Sequence, residues 1–508
     1  MGVPGAMKRI MGSNPRKLFL RNLSGYPDRD NLKVVIDGQS MTCRYSIGSL
    51  NSKKYVLDRK GKKIPEIYYL FIIAVRFIKA GITPVFVFDG RAPSLKAETV
   101  EKRGQSKDKA EEMAEEMMED HLEDDSKQQN DEELEEYIKC LKRSYRPDMD
   151  NIENAKLLLG YMGVPVVDAP GEADAQCAAI AHHYSSTVLG VITDDFDALM
   201  CGAPGVLKMP SLGSNTIDHY TLADTLENLT MSMRRVIRKS SDPVIKKLYA
   251  EREVTLDLSH MVEIGCMMGN DYGPGLRFKH SGDKFEAILE LYAKNELSLD
   301  NVLSSLSGSL SQDYIKRMQD SRDLYTKVEV LNPESLNLSM TEPSVEMVTK
   351  MCSEFISEND IMNTVTMLVN TYRSKNRKFD RNYRVPLDNE PASTDHYGDR
   401  YGDRYGSKRY GPWDSTGADS FGSFASYKQR YAKEQAKHLT SGTTRGFGGS
   451  PPKTYGSGAT KSYNSGGAQA KTVGFGTKTS FRIEDSCHAE ASKSWPEALY
   501  RRQITLTG

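Results

Sequence analysis

Short apolar runs alternate with amphipathic stretches over the first 200 residues. "KVVIDG", Lys33–Gly38, is a β-branched run that stops at Asp37, and "TPVFVFDG", Thr83–Gly90, stops at Asp89. "STVLGVI", Ser186–Ile192, reads as a buried strand and leads straight into the three aspartates of "TDDFDALMCG". Between these runs lie an apolar helix in "IYYLFIIAVRFIKAG", an amphipathic helix in "NIENAKLLLGYMG" that ends at Gly163, and a small-residue helix in "GEADAQCAAIAHHY". The alternation predicts an α/β fold, a mostly parallel central sheet with helices on both faces. Ligands in such sheets sit at the carboxyl ends of the strands, where Asp37, Asp89, Asp195 and Asp197 fall.

The pattern then changes twice. Residues 203–375 read as mostly helical with loops, and the helix in "MVEIGCMMGNDYGPG" breaks at Asn270-Asp271. Past Lys375 the aliphatic residues thin out and 17 of the 40 glycines appear, so this tail is predicted to be disordered. Between the second and third strands, Glu111–Glu136 carries 14 acidic residues and one basic, Lys127, flanked by basic Lys102–Lys109 and Lys139–Arg146. This acidic stretch is expected to be disordered in the absence of a ligand.

Composition narrows the classes. The formal net charge of −1 leaves partners open, because distribution matters more than the sum. Seven scattered cysteines with no C-x-x-C pair argue against structural zinc and a disulfide framework, and for a reducing compartment. No secretory signal opens the chain. The most apolar stretch is too short to span a bilayer and is interrupted by Arg76 and Lys79. The expectation is a soluble intracellular protein with no membrane partner.

Seven acids stand out: Asp37, Asp89, Glu172, Asp174, Asp195, Asp197 and Asp271. Singly, each has an ordinary explanation as a turn residue, a helix N-terminal acid or a cap. Together, carboxylates this crowded repel unless cations hold them. Oxygen-only donors select hard ions such as Mg²⁺ or Mn²⁺. Two such ions form the clamp used in phosphodiester hydrolysis.

Six stretches, "MGVPGAMKRI", "VVIDGQSM", "PVFVFDGRAPSLKAETVEKR", "MGVPVVDAPGEADAQCAAI", "VITDDFDALMCG" and "MGNDYGPGLR", lie in order within residues 1–280. In these the chain resembles the flap endonuclease/XPG family of structure-specific 5′ nucleases, with a PIN-like nuclease fold. The resemblance implies that all seven acids are metal ligands for two Mg²⁺ ions, with Mn²⁺ able to substitute. It also implies that Lys96 and Arg103, at the foot of a helical arch, hold the scissile phosphate. Gly2, Arg44, Arg277 and Lys279 are candidate DNA contacts. The implied organisation is an N-terminal nuclease region 1–110, an arch 111–146, an internal nuclease region 147–290 with a degenerate helix–two-turn–helix, a helical wrap 291–375 and the tail 376–508.

The implied activity is metal-dependent cleavage of branched DNA at a 5′ flap or junction in replication, repair or recombination. The partners would be branched DNA and replication or repair proteins, with no clear sliding-clamp motif. The place of action would be the nucleus, or a cytoplasmic replication site for a viral protein. The alternatives are a catalytically inactive nucleic-acid-binding or scaffold member, a 5′ exonuclease, a junction resolvase and an RNA-cutting relative. Two departures predict a divergent member, such as one from a large DNA virus. Cys43 stands where the family often has an aromatic, and the arch is strongly acidic.

Overall fold

The computed structural model describes residues 10–12, 15–20, 31–51, 56–123, 131–209, 211–278 and 283–376. The strands are β1 (Arg16–Phe19), β2 (Lys33–Asp37), β3 (Thr83–Phe88), β4 (Val166–Asp168), β5 (Val188–Ile192), β6 (Gly205–Lys208) and β7 (Thr216–Thr221). Among them run helices α1 (Gly38–Asn51), α2 (Pro65–Lys79), α3 (Ala97–Glu123), α4 (Asp131–Ser144), α5 (Met149–Tyr161), α6 (Ala173–His183) and the single turn α7 (Asp197–Met200). The remainder is helical: α8 (Leu222–Lys239), α9 (Pro243–Leu248), α10 (Leu258–Met268), α11 (Lys284–Lys294), α12 (Leu299–Ser305), α13 (Gln312–Thr326), α14 (Val345–Cys352) and α15 (Glu358–Asn376).

The strands form one sheet in the order β1-β7-β6-β5-β2-β3-β4. The pairs from β6 across to β4 are parallel, as predicted, and β7 runs antiparallel to both β6 and β1. The period-two rule explains why both faces are covered. Val35, Val85, Val87, Val191 and Val206 point into a core shared with α6, α8 and α10–α13. Val34, Ile36, Phe86, Phe88, Ile192 and Leu207 point the other way, against α2, α5, α14 and α15.

The antiparallel edge corrects the reading of residues 203–375 as helices and loops, because β6 and β7 lie inside that span. All three strands of this side are short; β6 is buried on both faces but has only four residues, and in β1 and β7 only Leu18 and Ile217 are buried. An edge strand of this kind carries no apolar run to betray it.

The acidic interval is also corrected. Within the described residues it is helical, α3 running to Glu123 and α4 starting at Asp131. The two helices share a small core of Ala114, Met118, Leu134, Tyr137, Ile138 and Cys140. Arg146 closes the base of this arch on Asp108 at 2.5 Å and Glu111 at 2.8 Å. The two helices bury their apolar stripes against each other, and residues 124–130 of the stretch lie outside the described residues. The tail beyond residue 376, together with Gly2 and Lys279, lies outside the described residues. Among the described residues no helix is long and apolar enough to cross a membrane.

Candidate active site

Parallel strands that end together bring remote acids together. Asp37 closes β2, Asp89 follows β3, and Asp195 and Asp197 follow β5. Glu172 is the N-cap of α6 and Asp174 stands in its first turn. The close approach of two loops sets Asp89 beside this helix. Gly90 N–H donates to Gly171 O at 2.7 Å, and Ala173 N–H donates to Asp89 Oδ1 at 2.8 Å. A Cβ on Gly90 would lie 2.0 Å from Ala169 O, so the glycine of "FDG" is required by packing rather than by a turn.

Asp271 comes from the helical layer on the α6 side of the sheet, on the loop after α10. Gly269 (φ +95°) and Gly275 (φ +65°) fold this loop so tightly that a Cβ on Gly275 would lie 2.3 Å from Gly269 N. Asn270 Oδ1 accepts from Tyr272 N–H and Gly273 N–H, each at 2.9 Å. The loop thereby turns Asp271 toward the sheet edge, where Lys96 and Arg103 meet it.

Thr193, fully buried, is the hub of the cluster. Its hydroxyl donates to Asp37 Oδ2 at 3.0 Å, lies 3.5 Å from Asp174 Oδ1, and accepts from Asp195 N–H at 3.1 Å. Burial is the first cause of the shifts seen here, and like charge adds to it. Asp37 is raised to about 7 by burial and by Asp89. Asp174 is held well above its ordinary value by burial, then by Asp37, Asp195 and Asp197. Asp197 is likewise raised, by burial and then by Asp195 and Asp271.

The two arch-foot cations are seated on this cluster. Lys96 pairs with Glu172 and lies 3.9 Å from Asp271 Oδ2. Burial opposes its charge, but Glu172 outweighs that and raises its pKa. Arg103 Nη2 donates to Asp271 Oδ1 at 2.6 Å. The arch is pinned at both ends. Thr99 Oγ1 donates to Asp271 O at 2.7 Å, and Arg317 of α13 pairs with Glu98. At the far end the buried Glu66 accepts from Tyr145 Oη at 2.7 Å and from Asn151 Nδ2 at 2.9 Å.

The structure therefore brings all seven predicted acids and both predicted cations to one edge. Among the described residues no three acidic, histidine or cysteine side chains are posed as a closed ligand set. Arg44 lies beside the cluster, paired with Asp194 and donating to Met209 O at 2.8 Å. Arg277 is exposed just past the Asp271 loop. Sequence reading missed Thr193, Glu66, Arg317 and Tyr325, which matter through contacts between distant segments.

Residues 1–110 match the XPG N-terminal domain and residues 163–271 the XPG I-region. Flap endonuclease 1 of Brugia malayi is 27% identical over 362 residues, which is 70% of this chain and 83% of that protein. Its soybean (Glycine max) counterpart is 32% identical over 241 residues, 47% of this chain and 59% of that protein. The chain belongs to the flap endonuclease/XPG family. Membership places it among the structure-specific nucleases, which are phosphodiester hydrolases. The solved flap endonuclease-1 from Methanococcus jannaschii aligns with 72% of this chain and 99% of its own, at a TM-score of 0.47 and 22% identity. The XPG matches take in every one of the nine clustered residues, because the two segments contain both ends of the acid series.

Proposed function

We propose that this family member is a divalent-metal-dependent 5′ endonuclease that cuts branched DNA at a flap or junction, with Mg²⁺ as the physiological ion. The observation that carries the reading is the cluster of seven carboxylates at the sheet edge with Lys96 and Arg103 seated on it. The donor chemistry fits hard cations. Cys177 and Cys201 lie nearby, but burial and then the surrounding carboxylates push both thiols well above their ordinary range, so the available donors are oxygens. Asp197 Oδ1 is buried without a hydrogen-bond partner, as a ligand oxygen would be.

Asp37, Asp89, Glu172, Asp174, Asp195, Asp197 and Asp271 would hold two ions, and Mn²⁺ would substitute for Mg²⁺. When bound, the ions lower the pKa of water and neutralise charge on the scissile phosphate. The chain's own residues do the rest. Thr193 fixes the orientation of Asp37 and Asp195, and the loop pairing of Gly90 and Gly171 fixes Asp89 against Glu172. Lys96, in the 3-10 turn Ser94–Lys96 that leads into α3, and Arg103, within α3, are preorganised donors for charge developing on the phosphate. Arg44 and Arg277 would position the duplex through its phosphates, as would Gly2 and Lys279. The protein would act where DNA is replicated, repaired or recombined.

The test is cleavage by purified protein with Mg²⁺ on a 5′ flap, a nick, a four-way junction and single-stranded RNA. Asp89→Ala or Asp195→Ala should lower the rate by at least on the order of 10²–10³-fold and leave flap binding intact. Normal cutting by either variant would sink the metal assignment. Preference for the four-way junction or RNA would move the substrate while leaving the chemistry.

A further inference from the structure

We propose that Tyr325 is a positioning residue whose hydroxyl, carried in by α13, orients Asp197 as a metal ligand. The inference rests on the metal reading of the acid cluster above.

Tyr325 is the penultimate residue of α13, far in sequence from every acid of the site. It is 6% exposed, and its Oη has no hydrogen-bond partner. The hydroxyl approaches the carboxyl of Asp197, whose Oδ1 is the other orphan at this spot. One is a donor and one is an acceptor. Burying either one unpaired is costly. A small movement that closed the contact would satisfy both.

The surroundings permit that movement and limit it. Tyr272, next to Asp271, packs edge-on against the Tyr325 ring with centroids 5.4 Å apart and planes at 71°. Helix α13 is clamped to the Asp271 loop: Arg317 Nε donates to Tyr272 O at 3.0 Å and Asn270 Nδ2 to Ser321 Oγ at 3.0 Å. On its other side the ring borders a cavity of about 770 Å³ lined with Ala178, Cys201, Leu222 and Val262. The ring is thus held at one edge and free to adjust at the other. A phenol hydroxyl is a hydrogen-bond donor, and Asp197 is an acceptor. Hydrogen bonds from outer residues to ligand carboxylates fix their orientation, and losing one typically costs about 10–100-fold in metal affinity.

Tyr325→Phe keeps the ring and removes only the oxygen. A merely structural tyrosine and a positioning one predict opposite results for it. Removal of a buried unpartnered hydroxyl should leave thermal unfolding in EDTA unchanged or raise its midpoint. Removal of a positioning donor should weaken binding of Mn²⁺ to the full chain, without DNA, by about tenfold. Free Mn²⁺ counted by electron paramagnetic resonance reports this directly. Asp197→Asn serves as the control. If Asp197→Asn loses Mn²⁺ while Tyr325→Phe binds within twofold of the parent, the Tyr325 inference fails and the metal reading stands. If Asp197→Asn also binds as the parent does, both fail. A Tyr325→Phe protein that cannot fold in EDTA would make the tyrosine structural and overturn the inference.

Discussion

The carboxyl edge of the sheet and the arch hairpin both crowd acidic residues, and only the first draws most of them out of water, with Asp89 alone of its seven left exposed. At the sheet edge Asp37 is 4% exposed, Asp197 5% and Asp271 7%. Four of the seven acids there, Asp37, Glu172, Asp174 and Asp197, are raised, each by burial first, with other carboxylates of the cluster adding to it. On the arch, Glu111, Glu112, Glu115, Glu116 and Glu119 are all exposed, beside or opposite the apolar stripe of α3. Charge density along a sequence thus says little about the electrostatics of a site. Convergence does: parallel strands end side by side and force their terminal acids together, whereas a helical hairpin turns its acids outward.

The sharpest way to break this comparison is to remove the cations that answer the buried acids. Lys96→Ala and Arg103→Ala should each lower the single-turnover cleavage rate by about 10²–10³-fold, with a modest loss of flap affinity. If affinity fell as far as the rate, while the rate at saturation held, both would be phosphate anchors instead.

A smaller effect lies in pH. Asp37 ordinarily titrates at 3.8 and in the fold at about 7. Between those values the folded protein holds the proton that the unfolded chain has released. Its contribution to stability is therefore full below 3.8 and is lost as pH rises through about 7. In EDTA, unfolding free energy should fall between those limits by on the order of 2–4 kcal/mol, and Asp37→Asn should flatten the slope. A slope that survived Asp37→Asn unchanged would place the burden on the other acids.

The arch supplies the two smallest effects. Tyr137, 6% exposed, sits in the hairpin's own core. Tyr137→Ala should lower hydrogen-exchange protection in α3 and α4 by about 2–3 kcal/mol in local opening and leave the sheet's protection alone. Loss of protection throughout would mean that the arch and body unfold as one. Changing Glu111, Glu112, Glu115, Glu116 and Glu119 of α3 to Gln should leave the rate at saturation as it is. Flap affinity should rise a few-fold at low salt, and the gain should fade near ~0.15 M, where the screening length is about 8 Å. Unchanged affinity at low salt would put this face off the DNA path.

The parts that were legible in the sequence share a cause. Strands β2, β3 and β5 are sandwiched between helices, so they are apolar almost throughout, and each runs into an acid at its end. The antiparallel strands β1 and β7 were not legible, because a strand of four to six residues with one wet side leaves no such run, and β6, though buried, is only four residues long. The arch was misread for a related reason. Its stripe is built largely of alanines and well-spaced apolar residues, Ala110, Ala114, Met118, Leu134, Tyr137 and Ile138, diluted by glutamate. A stripe so thin is stable as a helix only once a second stripe covers it. Met113, a member of the stripe in sequence, is 46% exposed.

Sequence alone determined which groups would meet: seven carboxylates and two arch-foot cations near the ends of recognisable elements, in the order of one nuclease family. That is possible because strand ends and helix starts are local features, written in the residues beside them. Tertiary structure decided what binds those groups into one site. Thr193 reaches Asp37 across 156 positions of chain, Arg103 reaches Asp271 across 168, and Glu66 reaches Tyr145 across 79. Tyr325 comes to Asp197 from a helix with no motif of its own. Such contacts depend on how two cores pack against one sheet, and no window of the chain contains both partners.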